Sequence, residues 1–211
     1  MELSRIYECT IDGDTAAVKE LTHQALAEGI APAEIVSRYL IPAMAEVGAR
    51  YARSEFFVPE LLIAARSMHA ALAILKPLLS ATDLKSAGTV VIGTVEGDMH
   101  DIGKNLVSMM LQGAGFQVVD LGVDVSPDAF VEAVREHRAD ALALSSLLTT
   151  SMGSMQRTMV ALTEAGLRER VKVFIGGAPV TERYAADIGA DAYGRDAGAA
   201  VSVAKDLLHG S

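Results

Sequence analysis

The feature that most restricts the fold is Thr89-Val90-Val91-Ile92, a β-branched apolar stretch with no polar face of its own. It runs through Gly93-Thr94-Val95-Glu96 into Gly97-Asp98-Met99-His100-Asp101-Ile102-Gly103. A strand with one face in water alternates apolar and polar residues, so this one is predicted to be a buried parallel strand. Ligands of α/β sheets bind beyond the carboxyl ends of such strands, and an aspartate two residues before a histidine falls there.

From this strand onward the pattern alternates. Further strands are predicted at 117–120, 141–144, 171–175 and 190–193, with helices at 102–112, 127–137, 152–165, 182–188 and 197–208. That alternation specifies a parallel sheet with helices on both faces. Before residue 78 almost every segment reads as helix: 4–9, then 15–28 after the turn Asp12-Gly13-Asp14, then 32–51 opening at Pro32. A fourth begins at Val58-Pro59-Glu60 and carries Leu61, Ala65, Met68, Leu72 and Leu75 at helical spacing. Lys76-Pro77 and the polar run 80–88 read as its end and a linker. The expected fold is therefore α/β, with a four-helix bundle over 1–83 and a Rossmann-like (flavodoxin-like) parallel-sheet domain over 88–211.

Composition excludes several classes. A net charge of −9 argues against nucleic acid as the main partner, because a phosphate-binding surface needs clustered Lys and Arg. No apolar run reads as long enough to span a bilayer, and no basic segment followed by an apolar one opens the chain. Cys9 is the only cysteine, which rules out an internal disulfide and fits a reducing cytoplasm. The expectation is a soluble, cytoplasmic protein without a membrane partner.

Three loops converge at the carboxyl edge of the predicted sheet. The first supplies Asp98, His100 and Gly103, the third Ser145 to Ser151, and the fourth Gly176-Gly177-Ala178-Pro179. A histidine there can ligate a metal through one ring nitrogen while a carboxylate on the other fixes its tautomer, and Asp98 is the candidate for that role. Gly176 and Gly177 would let a bulky group approach the backbone. Ordinary readings stand beside these. Asp98 could form a turn, Ser145 and Ser151 could cap a helix, and Tyr51, Phe57 and Val58 could fill the bundle. Met68, Met109, Met110, Met152, Met155 and Met159 read as core filling, and Cys9 as a small buried residue. Glu96, Asp101 and Lys104 read as solvated, and His23, His69, His137 and His209 have no supporting context.

Taken in order and approximate spacing, D-x-H-x-x-G at Asp98 to Gly103, S-x-L at Ser145-Ser146-Leu147 and the pair Gly176-Gly177 resemble one family. It is the cobalamin-binding domain of methionine synthase and of the corrinoid proteins in methyl-transfer systems. The helical half is similar to that family's four-helix cap, notably in Phe57-Val58-Pro59-Glu60-Leu61 and Ala65-Arg66-Ser67-Met68. The resemblance implies cobalamin, carried as methylcobalamin, with His100 as the lower axial ligand of cobalt in place of the dimethylbenzimidazole tail. Asp98 and Ser151 would extend that ligand into a hydrogen-bonded relay. Gly97, Met99, Asp101, Ile102 and Gly103 complete the binding loop, and Ser145 would contact the displaced tail. Leu147, Thr149, Gly176 and Gly177 would line the tail's channel, with Ala197 beside it.

In the cap, Tyr51 falls where the family carries an aromatic residue over the upper face of the corrin, methionine synthase resembling it with Phe there. Val58 and Leu61 fall where apolar neighbours complete the cover, and Phe57 is a rival. Nucleophilic cobalt(I) takes no lower ligand, so the resemblance implies that His100 releases and rebinds the metal in each cycle, the relay letting proton uptake accompany release.

The function so implied is a methyl carrier, not catalytic alone. It would accept a methyl group from a methyl-donor:corrinoid methyltransferase and deliver it to a methyl-acceptor methyltransferase, with a reductive activase as a further partner. Methanol, a methylamine, a betaine or an aromatic methyl ether are open as donors, and tetrahydrofolate or a thiol coenzyme as acceptors. A cobalamin-dependent sensor or regulator is the alternative, but no output module is visible. The cobalamin subunit of a carbon-skeleton mutase resembles the second half only. A shielded methyl group would require the cap to move aside about a hinge in the linker.

Overall fold

The computed structural model describes residues 3–79 and 87–210, so most of the linker read at 80–88 lies outside the described residues. The chain divides into two compact units, residues 1–86 with 113–115 and residues 87–112 with 116–211.

The first unit is helical: α1 (Ser4–Asp12), α2 (Thr15–Ala27), α3 (Pro32–Ile35), α4 (Ile41–Ala52) and α5 (Val58–Leu75). Asp14 starts α2 by accepting a hydrogen bond from the Ala17 N–H at 3.0 Å. Glu60 starts α5 in the same way, its Oε2 accepting the Phe57 N–H at 2.9 Å, while Pro59 sits in the first turn where no backbone donor is needed. The sequence read 32–51 as one helix. Instead a π-turn, Val36–Leu40, separates α3 from α4, and the Ile41 N–H reaches back to the Val36 carbonyl. Pro42 has no N–H to continue the regular ladder, so the backbone widens by one residue just before it.

Helix α5 corrects another expectation. The segment Val58–Leu78 has a mean hydropathy of 1.4 and is long and apolar enough to cross a membrane by length and composition. Its buried residues Leu61, Ala64, Ala65, Met68, Ala71 and Leu75 recur at spacings of three and four, which is the stripe of a bundle's core helix. It packs on α2, where the Thr15 and Ser67 hydroxyls lie 3.1 Å apart.

The second unit alternates β1 (Thr89–Thr94), α6 (Ile102–Gly113), β2 (Gln117–Asp120), α7 (Pro127–His137), β3 (Ala141–Ser145), α8 (Met152–Glu164), β4 (Lys172–Gly176), α9 (Glu182–Ile188), β5 (Ala192–Gly194) and α10 (Ala197–His209). The strands form one parallel sheet in the order β2-β1-β3-β4-β5. Strand β4 starts one residue later than expected, because the Val171 N–H closes a turn on the Leu167 carbonyl and the ladder begins at Lys172 opposite Ala141. Strand β5 starts later too, since the Asp191 carboxylate accepts the Val173 N–H at 2.6 Å and the ladder begins at Ala192 opposite Phe174.

The core of this unit is filled by Phe130, Leu142, Leu144, Met155, Leu162 and Ile175, all nearly inaccessible to water. Met68, Met110, Met155 and Met159 are buried as expected, whereas Met109 and Met152 are only half-buried. The functional consequence of the topology lies at β1. The chain leaves β2 on one side of it and returns as β3 on the other, which opens the crevice where such sheets bind ligands. Thr94 at the end of β1 pairs with Ser145 at the end of β3, so the loops that follow both strands emerge level with each other.

Candidate cofactor site

Asp98 is the hub of that crevice. It is completely buried and accepts five hydrogen bonds, one more than the roughly four lone-pair sites of a carboxylate, because Oδ2 accepts three. Its Oδ1 accepts the His100 backbone N–H at 3.0 Å and lies 2.7 Å from His100 Nδ1. Its Oδ2 accepts the Leu147 N–H at 2.6 Å, the Leu148 N–H at 3.2 Å and the Ser151 hydroxyl at 3.1 Å. Burial alone would raise the pKa of this carboxyl. The bonds from the His100 and Leu147 backbones and from the His100 and Ser151 side chains outweigh it and hold the group well below the usual carboxylate range.

An ionised carboxylate is an acceptor only, so the proton between the two side chains belongs to His100 Nδ1, and in the neutral tautomer this selects, the lone pair is on Nε2. The imidazole is 52 % exposed although the carboxylate behind it is buried. This is the arrangement by which proteins orient a metal-binding histidine.

Other groups hold the histidine loop in place. The Thr94 hydroxyl, buried at the end of β1, donates to the His100 carbonyl at 2.8 Å. Asp124, in the loop after β2, accepts the Gly97 N–H on Oδ1 at 2.7 Å and donates its own N–H to the Asp98 carbonyl at 3.0 Å. It does so from a left-handed backbone conformation, φ 54°. Neither residue was singled out from sequence. The sequence signal for Asp124 was the turn Gly122-Val123-Asp124 after β2, since β2 borders β1 at the switch point.

The remaining candidates are distributed as follows. Met99 and Ile102 flank the histidine and are 70 % and 82 % exposed, an unusual position for large apolar side chains in adjacent turns. Asp101 is exposed and its Oδ2 accepts a hydrogen bond from Asn105 Nδ2 at 3.0 Å. At Gly103 an added Cβ would meet no heavy atom within 4 Å. Ser145 is half-buried at the end of β3, while Leu147 and Thr149 are exposed on the loop that follows. Ala197 is buried in the first turn of α10.

Gly176 and Gly177 stand close against neighbouring backbone. A Cβ on Gly176 would lie 2.8 Å from the Gly194 carbonyl oxygen, and one on Gly177, whose φ is 131°, would lie 1.8 Å from the Ser146 carbonyl oxygen. The glycines admit neighbouring backbone.

Lys104 also departs from expectation. Read as solvated, it is 3 % exposed, and its ammonium bonds to Asp120 Oδ2 and Asn105 Oδ1. The pair ties the first turn of α6 to the end of β2, under the binding loop.

Tyr51, Val58 and Leu61 belong to the helical unit. Tyr51 is half-buried near the end of α4, Val58 opens α5 with 37 % exposure, and Leu61 is buried in the unit's core. Phe57, just before α5, is 63 % exposed.

Among the described residues no group of three or more His, Cys, Asp and Glu side chains is arranged to hold a metal ion. The site offers one histidine nitrogen, set among exposed apolar side chains and an open glycine, and this donor set suits a metal that brings its equatorial ligands in a macrocycle. A flavodoxin-like sheet with such a loop at its switch point defines a class of cofactor-binding domain.

Comparison with known proteins identifies the cofactor. B12 binding domain families match residues 88–202 and, separately, residues 2–76. The trimethylamine corrinoid protein of Methanosarcina barkeri is 42 % identical over 209 residues, 98 % of this chain and 96 % of that protein. Dimethylamine corrinoid protein 2 of Methanosarcina acetivorans is 46 % identical over 206 residues, 97 % and 93 % of the two chains. A chain from the crystal structure of the methanol:cobalamin methyltransferase complex of Methanosarcina barkeri superposes with a TM-score of 0.91 at 30 % identity, covering 100 % of this chain and 81 % of that one. The chain belongs to the B12-binding corrinoid proteins, and its cofactor is cobalamin.

Proposed function

We infer that this protein is a methyl-carrying corrinoid protein that receives its methyl group from a methylamine through one methyltransferase and yields it to a second. The observation that carries the reading is the 2.7 Å contact between His100 Nδ1 and the buried Asp98 carboxylate, which engages Nδ1 and leaves Nε2 outside that contact on a half-exposed ring. The methylamine class is supported by the two relatives at 42 % and 46 % identity, both named for methylamine corrinoid proteins.

Bound cobalamin supplies a cobalt centre able to take up and release a methyl group. The chain's own residues supply the rest. His100 Nε2 would ligate the cobalt, Asp98 would fix its tautomer, and Ser151 with the Leu147 and Leu148 N–H groups fixes Asp98. Gly97, Met99, Asp101, Ile102 and Gly103 form the surface around that ligand. Ser145, Leu147 and Thr149, with Gly176, Gly177 and Ala197, hold the displaced nucleotide tail. In the helical unit, Tyr51 and Val58 would cover the cofactor with Leu61 beneath them, and Phe57 is the rival for that role. A reductive activase, which returns oxidised cofactor to service, and a cytoplasmic setting complete the proposal.

The test is transfer. Protein reconstituted with cobalamin is reduced and offered trimethylamine, dimethylamine, monomethylamine or methanol, each with its own corrinoid methyltransferase, and the visible spectrum of the bound cofactor is followed. Methylation with an amine and not with methanol is expected. Methylation by the methanol system alone would overturn the donor class, and a tightly bound adenosyl ligand that no partner removes would overturn the carrier role in favour of a sensor.

A further inference from the structure

We propose that Ser146 is a fourth member of the His100 relay, a positioning residue whose hydroxyl donates to Ser151 and thereby commits the Ser151 hydroxyl to Asp98. The proposal rests on His100 being the lower ligand. Ser146 occupies the variable position of the S-x-L motif, and nothing in the sequence pointed to it. It is completely buried at the end of β3, with its N–H donating to the Gly176 carbonyl at 3.1 Å and its carbonyl oxygen pressed against Gly177. Its place is thus set from two sides by backbone.

The argument is one of proton counting. Ser146 Oγ lies 2.8 Å from Ser151 Oγ and 3.1 Å from the Leu148 carbonyl oxygen. Ser151 Oγ lies 3.1 Å from Asp98 Oδ2 and 3.0 Å from the same Leu148 oxygen. Two hydroxyl protons therefore face three kinds of acceptor. In one order Ser146 donates to Ser151 and Ser151 donates to Asp98. In the other the Ser151 proton turns to Leu148 or to Ser146, and Asp98 loses its only hydroxyl donor. The Leu148 oxygen already accepts the Ser151 backbone N–H at 3.2 Å, so it needs neither hydroxyl.

Hydrogen bonds to a charged acceptor contribute about 1.5–3 kcal/mol against about 0.5–1.5 kcal/mol for neutral pairs, which selects the first order. In that order Ser146 fills the acceptor lone pair of Ser151 and polarises its O–H toward the carboxylate. Without Ser146, the Ser151 hydroxyl loses that donor, its O–H is less polarised, and its bond to Asp98 weakens. Asp98 then keeps more of its charge, grips His100 Nδ1–H more firmly and makes Nε2 a stronger donor.

The experiment measures the cobalt(II)/cobalt(I) midpoint potential of reconstituted wild type, Ser146→Ala, Ser151→Ala and the double variant, with Ser146→Thr as the rescue. Each form is first checked for cofactor stoichiometry, and the wild type for histidine nitrogen coupling in the electron paramagnetic resonance of its cobalt(II) form. A roughly tenfold gain in the preference of cobalt(II) for His100 is expected in Ser146→Ala, which is a fall of about 59 mV for this one-electron couple. The fall should vanish in Ser146→Thr, and Ser146→Ala should add nothing to Ser151→Ala, because Ser146 acts only through Ser151. An unchanged potential in Ser146→Ala overturns the proposal, and so does an equal shift in the Ser151→Ala background. If Ser146→Thr does not bind cofactor, the double variant alone decides. Absence of histidine coupling in the wild type would instead remove the ligand assignment on which the proposal depends.

Discussion

Asp98→Asn separates the geometry of the site from its electronic state. The side chain keeps its shape, but one oxygen becomes an NH2 group in a position surrounded by donors. If that NH2 took the Oδ2 position it would face the Leu147 and Leu148 N–H groups and the Ser151 hydroxyl, two of which cannot turn away. At the Oδ1 position it faces one backbone N–H, from His100, and the imidazole Nδ1, which can give up its proton. The second orientation is the cheaper one. It forces His100 into the tautomer that carries its proton on Nε2, and the nitrogen meant for cobalt is then blocked.

Losing the His100 N–H bond and the charge on the other four costs about 2–4 kcal/mol at this fully buried position. Urea unfolding of the cofactor-free protein should show that loss. The difference from wild type should hold from pH 7 to about 5 and narrow below about pH 4. A carboxyl whose folded pKa is depressed contributes stability above its unfolded value, near 3.9, and loses it as pH falls through the folded value. The reconstituted variant should bind cobalamin yet show no histidine nitrogen coupling in the resonance spectrum of its cobalt(II) form. A folded Asp98→Asn protein with wild-type coupling would refute the tautomer reasoning.

Substitutions at three further positions test the supports of the site. Asp124→Asn keeps an oxygen for the Gly97 N–H and tolerates φ 54°, so its unfolding free energy should stay within about 0.5 kcal/mol of wild type, whereas Asp124→Ala should lose about 1–2 kcal/mol. Equal losses in chemical denaturation would discount the side-chain bond. Lys104→Met should cost about 1–2 kcal/mol, less than a fully buried pair, because the Asp120 side chain keeps 32 % of its exposure and can rehydrate. A thermal melt showing no loss would count against the pair as a tie between α6 and β2. Gly177→Ala combines a φ of 131° with a Cβ set 1.8 Å from the Ser146 oxygen, and roughly 3–5 kcal/mol should be lost. Wild-type stability by urea titration would mean that the β3 and β4 loops separate freely.

The course of the chain was legible where burial dictated pattern. An unbroken apolar run at Val90-Val91-Ile92 has no option but a buried parallel strand, and the helices with polar caps, Asp14, Ser126 and Asp196, begin where those caps stand. The π-turn before Pro42 was hidden because a helix around a proline keeps its hydrophobic period while its hydrogen bonds shift. At the site, Asp98 and His100 were legible from the motif at the end of β1, and Ser151 through the family resemblance. Ser146, Thr94 and Asp124 were not, since a hydroxyl or carboxylate that holds a backbone group looks in sequence like any other polar loop residue. Lys104 was misread for a related reason: a lysine is buried only when its partner is placed beside it, and Asp120 lies at the end of β2, a different element from α6.

The most direct measurement is the electron paramagnetic resonance spectrum of the cobalt(II) form reconstituted with unlabelled cobalamin, recorded on protein grown with ordinary and with 15N-labelled histidine. A triplet splitting from one axial nitrogen should become a doublet on labelling and disappear in His100→Ala. A triplet unchanged by histidine labelling would mean that the cofactor keeps its own dimethylbenzimidazole ligand, and His100 would then not be the lower ligand.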